Sequence, residues 1–248
     1  MAVSLSSSGS VGSSGRVVFV HGSGAFGAAA WPVQHVLAGS FDCLFVRRTG
    51  FDPVAEPVPS DFAADAQIII DNLQLDGRHG GQVVAHAQGS VAAMMAAVQR
   101  PDLVHSLLLC EPAVLSLTKD LPATAAHIKL MQPVFDLRNE LGDVEYYRQF
   151  SQLAFGEAAR KLDPDDAEAL RTARRLRLQA PAWEAPLDIV PGVPTMVLTG
   201  GWEPMYEEVA EYLSSTGARH LIVGGGHRPQ DTEQGQAAIK EFLANSQK

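Results

Sequence analysis

The chain has 248 residues, 46% of them apolar and 19% charged, an ordinary globular composition and length enough to bury a sizeable core without disulfides. Nineteen Lys and Arg against 28 Asp and Glu leave a net charge of −9, which argues against nucleic acid, a partner gripped through its phosphates by a basic patch. The longest apolar runs reach about half of the roughly 20 residues that span a bilayer, and no basic segment leads into a long apolar one at the N-terminus, so a cytoplasmic protein without membrane contact is expected.

Residues 1–15 (MAVSLSSSGSVGSSG) are rich in Ser and Gly and read as a flexible leader. From Arg16 onward short β-branched runs alternate with helical periodicity, the pattern of an α/β fold whose mostly parallel sheet carries helices on both faces. Strands are expected at 16–20 (RVVFV), 43–47, 81–86, 106–110, 194–199 and 219–223. The clearest helices fall at 60–75, with Ser60 as N-cap, and at 89–99, 205–214 and 231–244. Between 113 and 190 the rhythm breaks, because the stretch is helix-prone and holds no strand-like run. It reads as an inserted helical lid, with Pro181, Pro186 and Pro191 leading the chain back to a core formed by 16–112 and 191–248. The only cysteines, Cys43 and Cys110, sit in apolar runs as small hydrophobes, so metal, Fe–S and redox CxxC sites find no support; no cofactor is expected.

The glycines after the first strand admit two readings. Gly22, Gly24 and Gly27 have G-x-G-x-x-G spacing between a strand and a helix, and Arg47 and Arg48 end the second strand where a 2′-phosphate would lie. Against a dinucleotide stand His21 and Trp31-Pro32, which a phosphate cradle does not require, and the lack of a Tyr-x-x-x-Lys pair. The second reading makes His21-Gly22-Ser23-Gly24 a turn whose backbone N–H groups approach a developing oxyanion, with His21 fixing that turn by hydrogen bonding. It gains weight from VVAHAQGSVAAMMAA, a sharp strand-to-helix turn flanked by small residues, Ala85 and Gly89. This is the nucleophile-elbow pattern, in which a strained turn exposes Ser, Cys or Asp at the strand end. The position is filled by Ala87, which cannot attack a carbonyl. Ser90 and His86 beside it read as packing residues.

With these pieces in order over residues 16–244, the sequence resembles the α/β-hydrolase superfamily, lid-containing serine hydrolases in particular, with Ala at the elbow. The resemblance rests on HGSG at 21–24, AHAQGS at 85–90, LLLCEP at 107–112, VLTGGWEP at 197–204 and VGGGHRP at 223–229. It implies His227 as general base, and as triad acid either Glu111, after the fourth strand, or Glu203, after the fifth; Glu111 is preferred, since a carboxylate coming off an apolar strand needs a partner. It further implies an oxyanion hole from the backbone N–H of Gln88 with that of Ser23 or Gly24.

Trp183 and Trp31 are candidate walls of a substrate pocket, and the lid adds Leu121, Ile128, Leu130, Met131, Val134 and Phe135. Arg171, Arg174, Arg175 and Arg177 read as a solvated lid face. The lid and the early acid look like those of ester- and lactone-cleaving members, mycotoxin lactonases included, and of cofactor-free dioxygenases. The expected activity is therefore cleavage of a small, apolar, ring-containing ester or lactone by a Ser-His-acid mechanism, inactivated by Ala87. A nucleophile-free ligand-binding protein or His general-base enzyme is the alternative. The expected partner is a small-molecule substrate, and a homodimer is left open.

Overall fold

A computed structural model describes residues 15–156 and 161–246, so the leader expected over 1–15 lies outside the described residues except for Gly15. Six parallel strands, β1 (Arg16–Val20), β2 (Asp42–Val46), β3 (Gly81–His86), β4 (Val104–Cys110), β5 (Thr195–Thr199) and β6 (Arg219–Ile222), form one sheet in the order β2-β1-β3-β4-β5-β6. Every expected strand is present, with ends displaced by two residues at most.

The strands alternate sharply between two apolar layers, as a period of two requires. Val18, Val20, Val83, Ala85, Leu107, Leu109 and Val197 face a layer built from helices α1 (Phe62–Gln74), α2 (Gly89–Gln99) and α6 (Pro204–Ser215). Val17, Phe19, Val84, Leu108, Met196 and Leu198 face the other layer, which holds helix α7 (Glu233–Asn245) and Trp31. Helix α2 is buried from Gly89 through Ala97, which explains its Ala/Met composition: a helix with no exposed face needs no polar stripe. Trp31 is fully buried edge-on to Phe19, so it belongs to the core and not to a pocket wall.

Asp61, not Ser60, caps α1, its carboxylate accepting from the N–H groups of Ala63 and Ala64. Ser60 is engaged elsewhere: its hydroxyl accepts from the N–H of Ala180.

Between β4 and β5 lie α3 (Pro122–Asp136), α4 (Asp143–Phe155) and α5 (Ala167–Arg177). Met131, Val134 and Phe135 close on Tyr146 in a small core of this insertion, so they face one another and do not line a pocket. Leu130 is exposed. The arginines of α5 do not form a solvated face. Arg171 and Arg174 pair with Glu56, Arg177 pairs with Asp143, and buried Arg175 lies over the Phe26 ring and donates to the carbonyl of Asp52.

The insertion is tied to the sheet at both ends. Glu208 of α6 accepts from the first N–H groups of α3, at Ala123 and Thr124. At the exit, Arg48 donates to Gln179 and to Asp65 at 2.8 Å, and the Arg48 and Asp65 side chains are 1% and 0% exposed. That pair uses Arg48, so it is not available to a nucleotide phosphate. Asp65→Ala leaves a buried guanidinium without its carboxylate and is expected to lower stability by about 3–5 kcal/mol in urea denaturation, with a far smaller loss when Arg48→Met and Asp65→Leu are combined.

Candidate active site

In an open parallel sheet the crevice forms where strand order reverses, at the carboxyl ends of the strands on either side. Here the reversal lies between β1 and β3. Val20 pairs with Ala85, His86 with Cys110, and Cys110 with Leu198. Continuing that register brings Gly22, Ala87, Glu111 and the segment after Thr199 to one level of the sheet.

Two of these residues carry strain. Ala87 has φ 49° and Glu111 φ 47°, left-handed conformations that cost an L-residue about 1–2 kcal/mol each. Both are held by the ladder beyond the strand ends: the N–H of Ala87 donates to Cys110, and that of Glu111 to Leu198. The glycines flanking Ala87 are required by contact. A Cβ on Gly22 would come within 3.0 Å of the Ala87 methyl, and one on Gly89 would fall against the carbonyls of Val20 and His21.

Glu111 is fully buried. Its Oε1 accepts from the N–H of Gly200 at 2.6 Å and its Oε2 from the indole N–H of Trp202 at 2.9 Å. Nδ1 of His227 lies 3.7 Å from the same Oε2, buried and without another partner. The structure therefore brings Glu111 and His227 together. Glu203 stands at the N-cap of α6 without a side-chain cap bond and, among the described residues, forms no ion pair with His227.

Four rings surround the His227 imidazole: His86 at 4.7 Å between centroids, Tyr206 at 5.4 Å, and Trp202 and Phe155 each at 6.0 Å. Phe155 ends α4 and comes from the insertion. Burial, with Glu111 and Glu203 nearby, pushes the Tyr206 hydroxyl well above its ordinary range. Phe155, Trp202 and Tyr206 carry no motif signal in the sequence, where GGWEP points to its glutamate alone.

His86 does more than pack. Its Nε2–H donates to the carbonyl of His227 at 2.7 Å and so fixes the loop that presents the second imidazole. Burial, then the neighbouring His227, pulls the His86 pKa far down and keeps the ring neutral. His21 fixes the turn as expected: Nδ1–H donates to the carbonyl of Gly22 and Nε2 accepts from the N–H of Arg48. Burial first, and Arg48 second, bring its pKa down to about 3.

The side chains of Ser23 and Gln88 engage each other, the hydroxyl donating to Gln88 Oε1 at 2.7 Å, while Gln88 Nε2 donates to the carbonyl of Ala180. The N–H groups of Gln88 and Gly24 have no backbone acceptor among the described residues. Trp183 meets Phe135 edge-on at 4.9 Å and packs between the insertion and the sheet's helical layer.

The model of the alpha/beta hydrolase family matches residues 17–241. The chain belongs to that family. As an alpha/beta hydrolase it superposes on an esterase of Thermogutta terrifontis at TM-score 0.67 and 19% identity, over 95% of this chain and 91% of the other. It also superposes on MenH of S. aureus at TM-score 0.66 and 13% identity, over 96% and 97% of the two chains. A carboxylesterase structure from Nitrososphaera gargenis gives 0.65 at 12% identity, over 94% and 91%. At such identities the likeness is one of fold. No curated protein matches the sequence. Among the described residues no helix is long and apolar enough to cross a membrane.

The buried neutral histidines set a pH dependence. Folded His21 resists protonation down to about 3, whereas the unfolded chain takes up that proton near 6.5, so the unfolded state binds more protons between those values. This contribution to stability is complete above 6.5 and is lost as pH falls toward 3. Urea titrations between about pH 6 and 4 should show a native slope steeper than that of His21→Gln by up to about 1.4 kcal/mol per pH unit.

Proposed function

We propose that this alpha/beta hydrolase carries the machinery of a carboxylic ester or lactone hydrolase of the Ser-His-Glu type, silent as it stands because Ala87 occupies the nucleophile position. The observation that carries the reading is the strained Ala87 at the apex of an elbow, one strand away from a buried Glu111 that faces His227. A backbone strain of this kind persists where the surroundings over-determine it, and such sites are commonly functional.

The chemistry follows from the positions. A hydroxyl on the β-carbon of residue 87 would attack the carbonyl carbon of the substrate while His227 accepts its proton, and Glu111 would stabilise the imidazolium. The oxyanion would be met by the N–H of Gln88 with that of Ser23 or Gly24. His227 would return the proton to the leaving alkoxide, then draw one from the water that cleaves the acyl-enzyme. Residues 113–190 would act as the lid over this centre, with Trp183 bracing the lid from behind. The rings of Phe155, Trp202 and Tyr206 suit a small, apolar, ring-containing substrate. The two free cysteines, Cys43 and Cys110, fit a cytoplasmic location.

Fluorophosphonate labelling together with ester and lactone turnover, run on the chain and on Ala87→Ser, tests the reading. Labelling and turnover should be confined to Ala87→Ser. An Ala87→Ser chain that stays unlabelled and inactive across a broad substrate panel would sink it, leaving the nucleophile-free alternative. In the Ala87→Ser background, Glu111→Gln should cut kcat by about 10³–10⁴-fold while Glu203→Gln changes it by less than about threefold. The reverse ranking would transfer the acid role to Glu203.

A further inference from the structure

The geometry points to Trp202 as the positioning residue for the Glu111–His227 pair, an inference that rests on the reading of those two residues as acid and base. Glu111 is held by one donor on each oxygen, Gly200 N–H on Oε1 and the Trp202 indole on Oε2. The terminal torsion of a carboxylate is broad, so one donor alone would leave its plane free to turn. With both in place, Oε2 is directed toward the otherwise unpartnered Nδ1 of His227.

The orientation of Trp202 is not forced by burial. The residue is 38% exposed, and an indole at such a surface could give its single N–H to water. It turns inward because its loop and both its neighbours hold it there. The adjoining Gly201 N–H donates to Glu207, whose other oxygen accepts from the Thr199 hydroxyl, and Thr199 accepts in turn from His220 Nε2–H. Phe155 lies nearly parallel to the indole, 14° between planes, and Tyr206 lies on it at 6.2 Å. An anionic oxygen kept at Nδ1 favours the tautomer with its proton there, which leaves the Nε2 lone pair free to take a proton from residue 87. The positioning role belongs to the Trp202 N–H, which acts through Glu111, and is separate from the contact its ring makes with His227.

The test is Trp202→Phe, which keeps an aromatic ring against Phe155 and His227 and removes only the N–H. The first readout is the pair of ring nitrogen shifts of His227 by nitrogen-15 NMR on the Ala87 chain at mildly alkaline pH, with Glu111→Gln as reference. Native His227 should be predominantly the Nδ1–H tautomer, and both variants should move it toward Nε2–H. If Trp202→Phe keeps the native shifts while Glu111→Gln changes them, the inference is overturned. It is also overturned if Glu111→Gln changes nothing, because the acid–base pair then fails with it. The second readout is kinetic: in Ala87→Ser, Trp202→Phe should lower kcat by at least about 10-fold with KM within about threefold, as for groups that orient a catalytic partner. Unchanged kcat in an active Ala87→Ser enzyme counts against the inference. An inactive Ala87→Ser enzyme overturns the hydrolase reading and leaves the tautomer readout to decide the role of Trp202.

Discussion

A carboxylate with none of its surface exposed, and with no lysine or arginine against it among the described residues, sits at the end of β4. Burying such a charge is unfavourable unless hydrogen bonds replace its lost hydration. Glu111 obtains two of them, both from the loop after β5, and faces the imidazole carried by the loop after β6. One side chain thereby links the ends of three neighbouring strands. The left-handed backbone at Glu111 is what turns the side chain off the strand line toward those loops.

A matching constraint operates one strand over. The turn after β3 can lie close to the turn after β1 only because Gly22 and Gly89 lack side chains. That closeness places the methyl of Ala87 against the HGSG turn and leaves the Gln88 N–H without a backbone acceptor. The polar side chains around it are used to hold the scaffold: Gln88 joins Ser23 to Ala180, Arg48 joins Asp65 to Gln179, and His86 holds the His227 loop. The insertion is fixed at its exit by the same contacts that shape the elbow, so its position and that of the elbow are set together.

Under the proposed mechanism, the chain keeps the supports of the site and lacks the reacting atom. Strained turns and a buried acid lower stability locally, and the two buried histidines add a cost as pH falls below 6.5; folding retains them because the hydrophobic layers on both faces of the sheet are large enough to offset them. In that proposal, position 87 is where a reacting side chain is missing.

Much of this was legible in the chain itself. Continuous apolar runs marked β1, β3 and β4 because strands buried on both faces leave no polar alternation to obscure them, and Gly22 and Gly89 marked the close approach of two turns. The motifs singled out Ala87, Glu111 and His227, while spacing alone left Glu111 and Glu203 both open. Tertiary structure decided the rest. Trp202 reaches Glu111 across 91 positions of sequence, and His86 reaches the His227 carbonyl across 141, distances over which no local pattern carries a signal. The arginines of α5 read as a solvated face because helical spacing reports periodicity and is blind to what packs opposite; the 52–56 loop that pairs with them lies more than a hundred residues earlier. Local periodicity and turn chemistry are properties of neighbouring residues, so the sequence determined the layers, the turns and the candidate chemistry. Which carboxylate meets the imidazole, and which side chains hold it there, depends on contacts that exist only once the sheet has closed.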